Sequence, residues 1–319
     1  MTVAEVREQV RAGGLIPAGS TLVAMLSGGR DSVCLLDVAV ALCGAANVHA
    51  LHVNYGLRAE SHEDERHCRE LCQALGAPIE VLRADRAAQP SGNLHAWARE
   101  LRYGAASRLA ERLEGLLASG HTSTDQVETI LYRLAASPGR RALLGMPARE
   151  GRLVRPLLGL TREQTAAYCS ERKLAWREDP SNDSERFARA RVRHGLVRAL
   201  DAVHPAAQAN VLRTAELLRE ETDLLDALVD AELAGGPRIA LERLRELAPA
   251  LQRLVLIRLA EQAAGTFVPQ AGERAAEILA LGARGGRAEL HVGGLVSAVL
   301  EAGELHMSVI QPRPQHDGQ

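Results

Sequence analysis

The sequence predicts an α/β fold: a mainly parallel, Rossmann-like sheet with helices on both faces, followed by a smaller C-terminal domain of mainly helical α+β type. Three observations carry this. Strand-like and helix-like segments alternate from residue 21 to residue 136, the pattern of parallel strands joined by helical crossovers. Polar, glycine-containing clusters follow three of the apolar runs: SGGRDS, NYGLR and GHTSTDQVE. These are carboxyl ends of strands, where such sheets bind ligands. After His204-Pro205 the composition shifts to a long leucine-rich stretch, which sets a boundary between a domain of residues 1–205 and one of residues 206–319.

Each element follows from local pattern. TLVAML (21–26) is a short apolar run, and residues 31–43 have helical spacing. VHALHV (48–53) and PIEVLR (78–83) read as the second and third strands, with a charged amphipathic helix over 61–75 between them. A long helix spans 93–113, GLLASG (115–120) is the fourth strand, and Ser123 to Ala136 is a helix. From 137 to 160 the segments SPGRR, GMP and RPLLG read as loop. Thr161 caps a helix through Arg172, with Glu163 in its first turn. WREDPSNDSERF (176–187) is turn-rich, and residues 186–200 form a basic helix. Residues 206–234 are helical, shorter helices run to about 282, and the end reads as short strands with glycine turns.

The 319 residues are 46% hydrophobic and 24% charged, which fits a soluble globular chain of two domains. Aromatics are only 3%, so the core is built from Leu, Val and Ala. The net charge of −2 hides an uneven distribution. Residues 1–132 carry 12 basic and 16 acidic groups, 133–198 carry 15 and 7, and 199–319 carry 11 and 17. A basic middle between acidic ends points to a polyanion docking at one place. Five cysteines (Cys34, Cys43, Cys68, Cys72, Cys169) have no disulfide-framework spacing, and the start, MTVAEVREQVRAGG, is charged rather than signal-like. No run of 18 apolar residues occurs. A cytoplasmic setting is expected.

The loop SGGRDS (27–32) is not GxxxxGK[ST], since it has no lysine. Its physics is related. Gly28 and Gly29 let backbone N–H groups face an anion, and Ser27 and Ser32 add hydroxyls. The helix that follows offers its N-terminus. Asp31 would repel a phosphate and makes sense as a ligand of phosphate-bound Mg2+. Asp125 and Glu128 stand three apart on one helix face. Cys68 and Cys72, with His62 and His67 nearby, are poorly spaced for zinc.

These residues resemble the PP-loop of N-type ATP pyrophosphatases, and within that superfamily the tRNA(Ile)-lysidine synthase family. LHVNYGLRAES (51–61), ARELRY (98–103), GHTSTDQVETILYRL (120–134), GMP with LVRPLLGLTREQ, and WREDPSNDSERFARARVRH resemble its motifs in order over residues 20 to about 200. The resemblance implies ATP-dependent ligation of L-lysine to C2 of the wobble cytidine in a CAU anticodon of isoleucine tRNA. That forms a carbon–nitrogen bond through an adenylated cytidine and releases AMP and pyrophosphate. It implies ATP at Ser27, Gly28, Gly29, Arg30, Asp31 and Ser32, with Asp31 holding Mg2+. Asp31 and Arg102 become catalytic, and Asp125 and Glu128 bind lysine. Arg58, Arg186, Arg189, Arg191 and Arg193 become tRNA contacts, with Arg99 a further phosphate contact and Trp176 and Phe187 candidate stacking groups. The expected partners are isoleucine tRNA and L-lysine, with no membrane, and a homodimer is the assembly to test.

The family pattern is broken at Thr122 and Thr124, where it has His and Asp, at Tyr55, where it has His, and at Ala190, where it has Asn. The C-terminal stretch is long enough for one extra domain where some family members carry two, the expectation for a short form. Two other readings remain at the sequence level. A PP-loop tRNA thiolase would need reactive or cluster-binding cysteines. An AMP-forming amide ligase on a small molecule would leave the basic middle unexplained.

Overall fold

The computed structural model describes residues 1–57, 60–85, 94–137, 139–178, 188–282 and 286–310. They separate into two compact units, Met1–Leu218 and Arg219–Gln319. In the first unit, Thr2 caps helix α1 (Val3–Ala12) through a reciprocal capping box with Glu5. The apolar run that follows becomes β1 (Leu22–Met25), buried at all four positions. Helix α2 (Arg30–Cys43), β2 (Val48–Asn54), α3 (Ser61–Leu75), β3 (Ile79–Arg83), α4 (Leu94–Arg112), β4 (Leu116–Ala118) and α5 (Ser123–Ala136) then alternate, as the sequence pattern requires.

The stretch expected to be loop at 137–160 holds more structure than that. It contains a one-turn helix α6 (Arg140–Leu143) and the two-residue strands β5 (Arg149–Glu150) and β6 (Leu153–Val154). The sheet order is β3-β2-β1-β4-β6-β5. All neighbouring pairs are parallel except β5 with β6. Chain order reverses between β1 and β4, which opens the crevice used for ligands in such sheets. On one sheet face α1, α2, α3 and α7 (Arg162–Glu171) bury Val6, Leu35, Leu36, Cys68 and Tyr168. On the other, Ala106, Leu109 and Ala110 of α4 cover Val23, Met25, Leu51 and Leu117.

Asp37 ties three of these helices together and is only 2% exposed. It accepts hydrogen bonds from Arg7 Nη2 at 2.9 Å, Tyr168 Oη at 2.5 Å, and Arg172 Nη2 at 2.8 Å. Burial pushes its carboxyl up, but the bonds from Arg172, Tyr168 and Arg7 outweigh that and hold it below the ordinary carboxylate range.

The basic helix expected over 186–200 is interrupted. It runs as α8 (Ala188–Arg191), a π-helical stretch Val192–Val197, and α9 (Arg198–Val203). Helix α10 (Ala207–Glu232) contains the division between the two units.

The second unit has β7 (Arg238–Ala240), α11 (Leu241–Glu246), α12 (Pro249–Ala264), α13 (Gln270–Glu273), α14 (Ala275–Leu279), β8 (Ala288–Gly293), β9 (Val296–Glu301) and β10 (Glu304–Val309). Its sheet, β7-β10-β9-β8, is antiparallel. Its core gathers Leu244, Leu256, Leu259, Ile278, Val296 and Leu305. Among the described residues no helix is long and apolar enough to cross a membrane.

Candidate active site

A cleft of about 340 Å³ opens at the carboxyl ends of β1, β2 and β4. The three polar clusters meet there, as their positions at strand ends require. Ser27, Gly29, Arg30, Asp31 and Ser32 come from the first, Tyr55 from the second, and Gly120, His121 and Asp125 from the third. Gly28 has φ +88°, a left-handed conformation that favours glycine. Ser32 Oγ donates to Gly29 O at 2.8 Å and lies 3.1 Å from Ser27 Oγ, which closes the loop over the start of α2. Gly120 permits a close approach, because a Cβ there would lie 2.9 Å from Asp31 O. The amide of Arg177 donates to Gly28 O at 2.9 Å, while its side chain is held by Asp64 and Glu63 of α3.

Asp31 faces the cleft from the first turn of α2. Its Oδ1 accepts from the buried Thr165 hydroxyl at 2.5 Å, and its Oδ2 stands 3.8 Å from Arg162 Nε. Burial pushes its carboxyl up and the charge of Asp125 adds to this, against the bond from Thr165 and the charge of Arg162. Such a carboxylate gains from a cation. A cleft-lining carboxylate with one oxygen fixed by Thr165 suits Mg2+, which takes few protein carboxylates beside phosphate oxygens. Neither Arg162 nor Thr165 stands out in the sequence. Both sit at the start of α7, and only the fold brings them to α2.

The acidic pair expected to bind an amine is divided. Asp125 lines the cleft, and its Oδ2 also accepts from the amide and hydroxyl of Thr122, at 2.8 and 2.9 Å. Glu128 is 1% exposed and lies under Arg193, whose Nε and Nη2 donate to it at 2.6 and 3.2 Å. Arg193 therefore meets a buried carboxylate as well as lining the cleft. Arg189 also lines it, with one bond of 3.4 Å to Thr129 Oγ1. Arg191 is exposed on the same helix. Arg102 lines the cleft, and Arg99 lies over the ring of Tyr103, 4.5 Å from its centroid. Trp176 lines the cleft and packs on the core behind it. Arg58, Arg186 and Phe187 lie outside the described residues.

The departures from the family pattern have local uses. Thr122 caps α5, and Thr124 Oγ1 accepts from the amide of Arg162 at 3.3 Å. Ala190 is buried, and Tyr55 donates its hydroxyl to Ala98 O at 3.0 Å.

His121 was not singled out as a site residue by sequence reasoning. It lines the cleft with Nδ1 2.8 Å from Ser119 Oγ. Burial pushes the imidazole down to about 4, against the charge of Asp125 and with those of Arg155, Arg189 and Arg102. The folded state thus keeps His121 neutral where the unfolded chain, near 6.5, takes up a proton. The unfolded state then binds more protons, so this stability is full above pH 6.5 and is lost as pH falls toward 4. Urea titrations across that window are expected to show a loss of up to about 3 kcal/mol. His121→Asn should remove that slope. An identical slope in the variant would assign it to other groups.

The cysteines do not offer a reactive thiolate. All five are buried. Burial pushes Cys68 and Cys72 up to about 12, opposite to the lowering that reactive thiols need. Among the described residues no group of three or more His, Cys, Asp or Glu side chains is arranged to hold a metal by itself.

Residues 5–200 match the model of a PP-loop domain family. The chain is 39% identical over 226 residues to a tRNA(Ile)-lysidine synthase of Pseudomonas syringae pv. tomato, covering 68% of this chain and 50% of that protein. To one of Thermus thermophilus it is 38% identical over 241 residues, covering 74% and 46%. The chain thus spans about half the length of the curated relatives it matches. Among solved structures, a U34-tRNA thiolase NcsA from Methanococcus maripaludis superposes with a TM-score of 0.58 at 17% identity, covering 68% of this chain and 78% of that one. At that identity the likeness is one of fold.

Proposed function

We propose that this chain, which belongs to the PP-loop family, joins L-lysine to C2 of the wobble cytidine in the CAU anticodon of an isoleucine tRNA. The carrying observation is the meeting, in one cleft, of an anion-cradling loop with Asp31, a second carboxylate at Asp125, and the arginines Arg102 and Arg189. Similarity to proteins named tRNA(Ile)-lysidine synthase supports it.

The amides of the 27–32 loop and the N-terminus of α2 receive the phosphates of ATP. Asp31 would hold Mg2+ against them, which supplies neutralisation of the charge on the phosphates. The cytidine O2 attacks the α-phosphorus, and pyrophosphate leaves. Arg102 stabilises the negative charge that builds on the transferred group. The lysine ε-amine, held by Asp125, then forms the bond to C2, and AMP departs with the former O2. Glu128 joins Asp125 at the amine by exchanging Arg193 for it. Arg58, Arg186, Arg189, Arg191 and Arg193 meet tRNA phosphates, which position an RNA without reading it. The setting is cytoplasmic, and a homodimer is the assembly proposed.

The test is incubation with labelled lysine, ATP and total tRNA, followed by digestion to nucleosides. Labelled lysidine is the expected product. Sulfur transfer, or AMP formation indifferent to lysine, would end this reading. Asp125→Asn is expected to raise KM for lysine about 10- to 150-fold, the loss of one charge-assisted contact, and to leave that for ATP near wild type. Equal changes for both substrates would make Asp125 a helix cap and nothing more.

A further inference from the structure

Aromatic residues are scarce here, eight in 319, and their placement is uneven. Tyr55, Tyr103 and Trp176 line the cleft. Trp97 packs on Tyr55, with ring centroids 6.1 Å apart and planes at 60°. Among the described residues, Tyr168 is the only aromatic in the set of largest fully buried side chains. Tyr103 and Trp176 pack against the core on one side and line the cleft on the other, whereas Tyr55 packs against no core cluster.

The surroundings narrow what the rings receive. Tyr55 is fixed by its hydroxyl bond to Ala98 O, so its plane is held against α4. Arg99 and Arg102 lie 4.5 and 5.6 Å from the Tyr103 ring centroid. Two polar atoms beside them, Tyr103 Oη and Arg102 Nε, are buried without a hydrogen-bond partner. An unpaired buried polar group is costly unless a ligand completes it. Flat apolar faces, unspent polar atoms and flanking cations together match a nucleobase carried on a phosphodiester chain.

We propose that Tyr55 and Tyr103, with Arg102 beside them, form the pocket that stacks the target pyrimidine base extruded from a single-stranded RNA loop. This rests on the tRNA reading above and deepens it. The adenine of ATP has a different wall available, the apolar Met25, Leu26, Leu51 and Val53 at the ends of β1 and β2. The triphosphate is met by the 27–32 loop, with Arg102 at the transferring group between ATP and base, which leaves Arg99 for a phosphate beside the extruded nucleotide.

The experiment uses the full chain and two RNA hairpins identical except for the middle loop position, cytidine in one and an abasic site in the other. Binding is read by filter retention and by tryptophan fluorescence, which reports on Trp97 beside Tyr55 and on Trp176 in the cleft. The wild type should bind the cytidine hairpin about 5- to 150-fold more tightly than the abasic one, with a fluorescence change for cytidine alone. Tyr55→Ala should erase most of that difference and leave ATP affinity unchanged, while Tyr55→Phe should keep it. If Tyr55→Ala lowers the melting temperature, Tyr55→Leu, which fills the space without an aromatic face, replaces it. Equal wild-type affinity for the two hairpins, or loss of ATP affinity in the Tyr55 variants, would overturn the proposal. Discrimination without lysidine formation would instead sink the tRNA-ligase reading and leave the pocket standing.

Discussion

Asp31→Asn is expected to slow pyrophosphate release by at least about 10²- to 10³-fold, the scale for losing one preorganised charge at a transferring group. The cause is local. Asp31 is the loop's only carboxylate, with one oxygen fixed by Thr165 and the other 3.8 Å from Arg162 Nε. Burial and the nearby Asp125 raise its carboxyl above the ordinary range, so its charge is tolerated rather than favoured in the free protein. A neutral amide keeps an oxygen for the Thr165 hydroxyl and removes repulsion with Asp125. The variant should therefore melt at or slightly above the wild-type temperature while losing chemistry. Pyrophosphate release across a Mg2+ titration, paired with thermal melts, separates the two effects. A wild-type rate at saturating Mg2+ would remove Asp31 from the reaction.

Arg193→Ala should destabilise the first unit by about 3–5 kcal/mol, because it leaves the buried Glu128 carboxylate without its main partner. For a unit of this size that lowers the melting temperature by roughly 6–20 °C. Adding Glu128→Gln should restore much of the loss, since the stranded charge is then gone. Arg189→Ala is the contrasting case. Arg189 is exposed and makes one long bond to Thr129 Oγ1. Its loss should barely move the melt, but should flatten the log–log salt dependence of tRNA binding by roughly 0.7–0.9. If Arg193→Ala melts like wild type, the ion pair with Glu128 is incidental to folding and Arg193 serves RNA alone.

This contrast marks where sequence reading ends. Four apart on a helix, Arg189 and Arg193 should face the same way. Both do line the cleft, and the helix turns π-helical from Val192, but Arg193 also pairs with the buried Glu128 while Arg189 reaches Thr129 Oγ1. No residue pattern announces that stretch. Asp125 and Glu128 share a face by spacing, yet one turns back to cap Thr122 and the other lies under Arg193. By contrast, β1 to β4 were legible because each is a short apolar run bounded by turn signals. The 27–32 loop was legible because it joins a buried strand to an apolar helix. β5 and β6 are two residues each, too short to show a period. Arg162 and Thr165 read as the ordinary first turn of a capped helix, and only the packing of α7 on α2 gives them a place at the site.

The Thr165 bond to Asp31 and the Arg172 bond to Asp37 span 134 and 135 residues of chain. The amide of Arg177 reaches back to Gly28 over a longer stretch still. On a ribosome adding about 5–20 residues per second, roughly 7–30 s separate synthesis of the loop from synthesis of its braces. Until they emerge, α2 carries two carboxylates without these partners, and the loop lacks its support from behind. The loop is among the first segments made, yet its braces arrive only late in the first unit's synthesis, so under the proposed reading nucleotide capture waits for them.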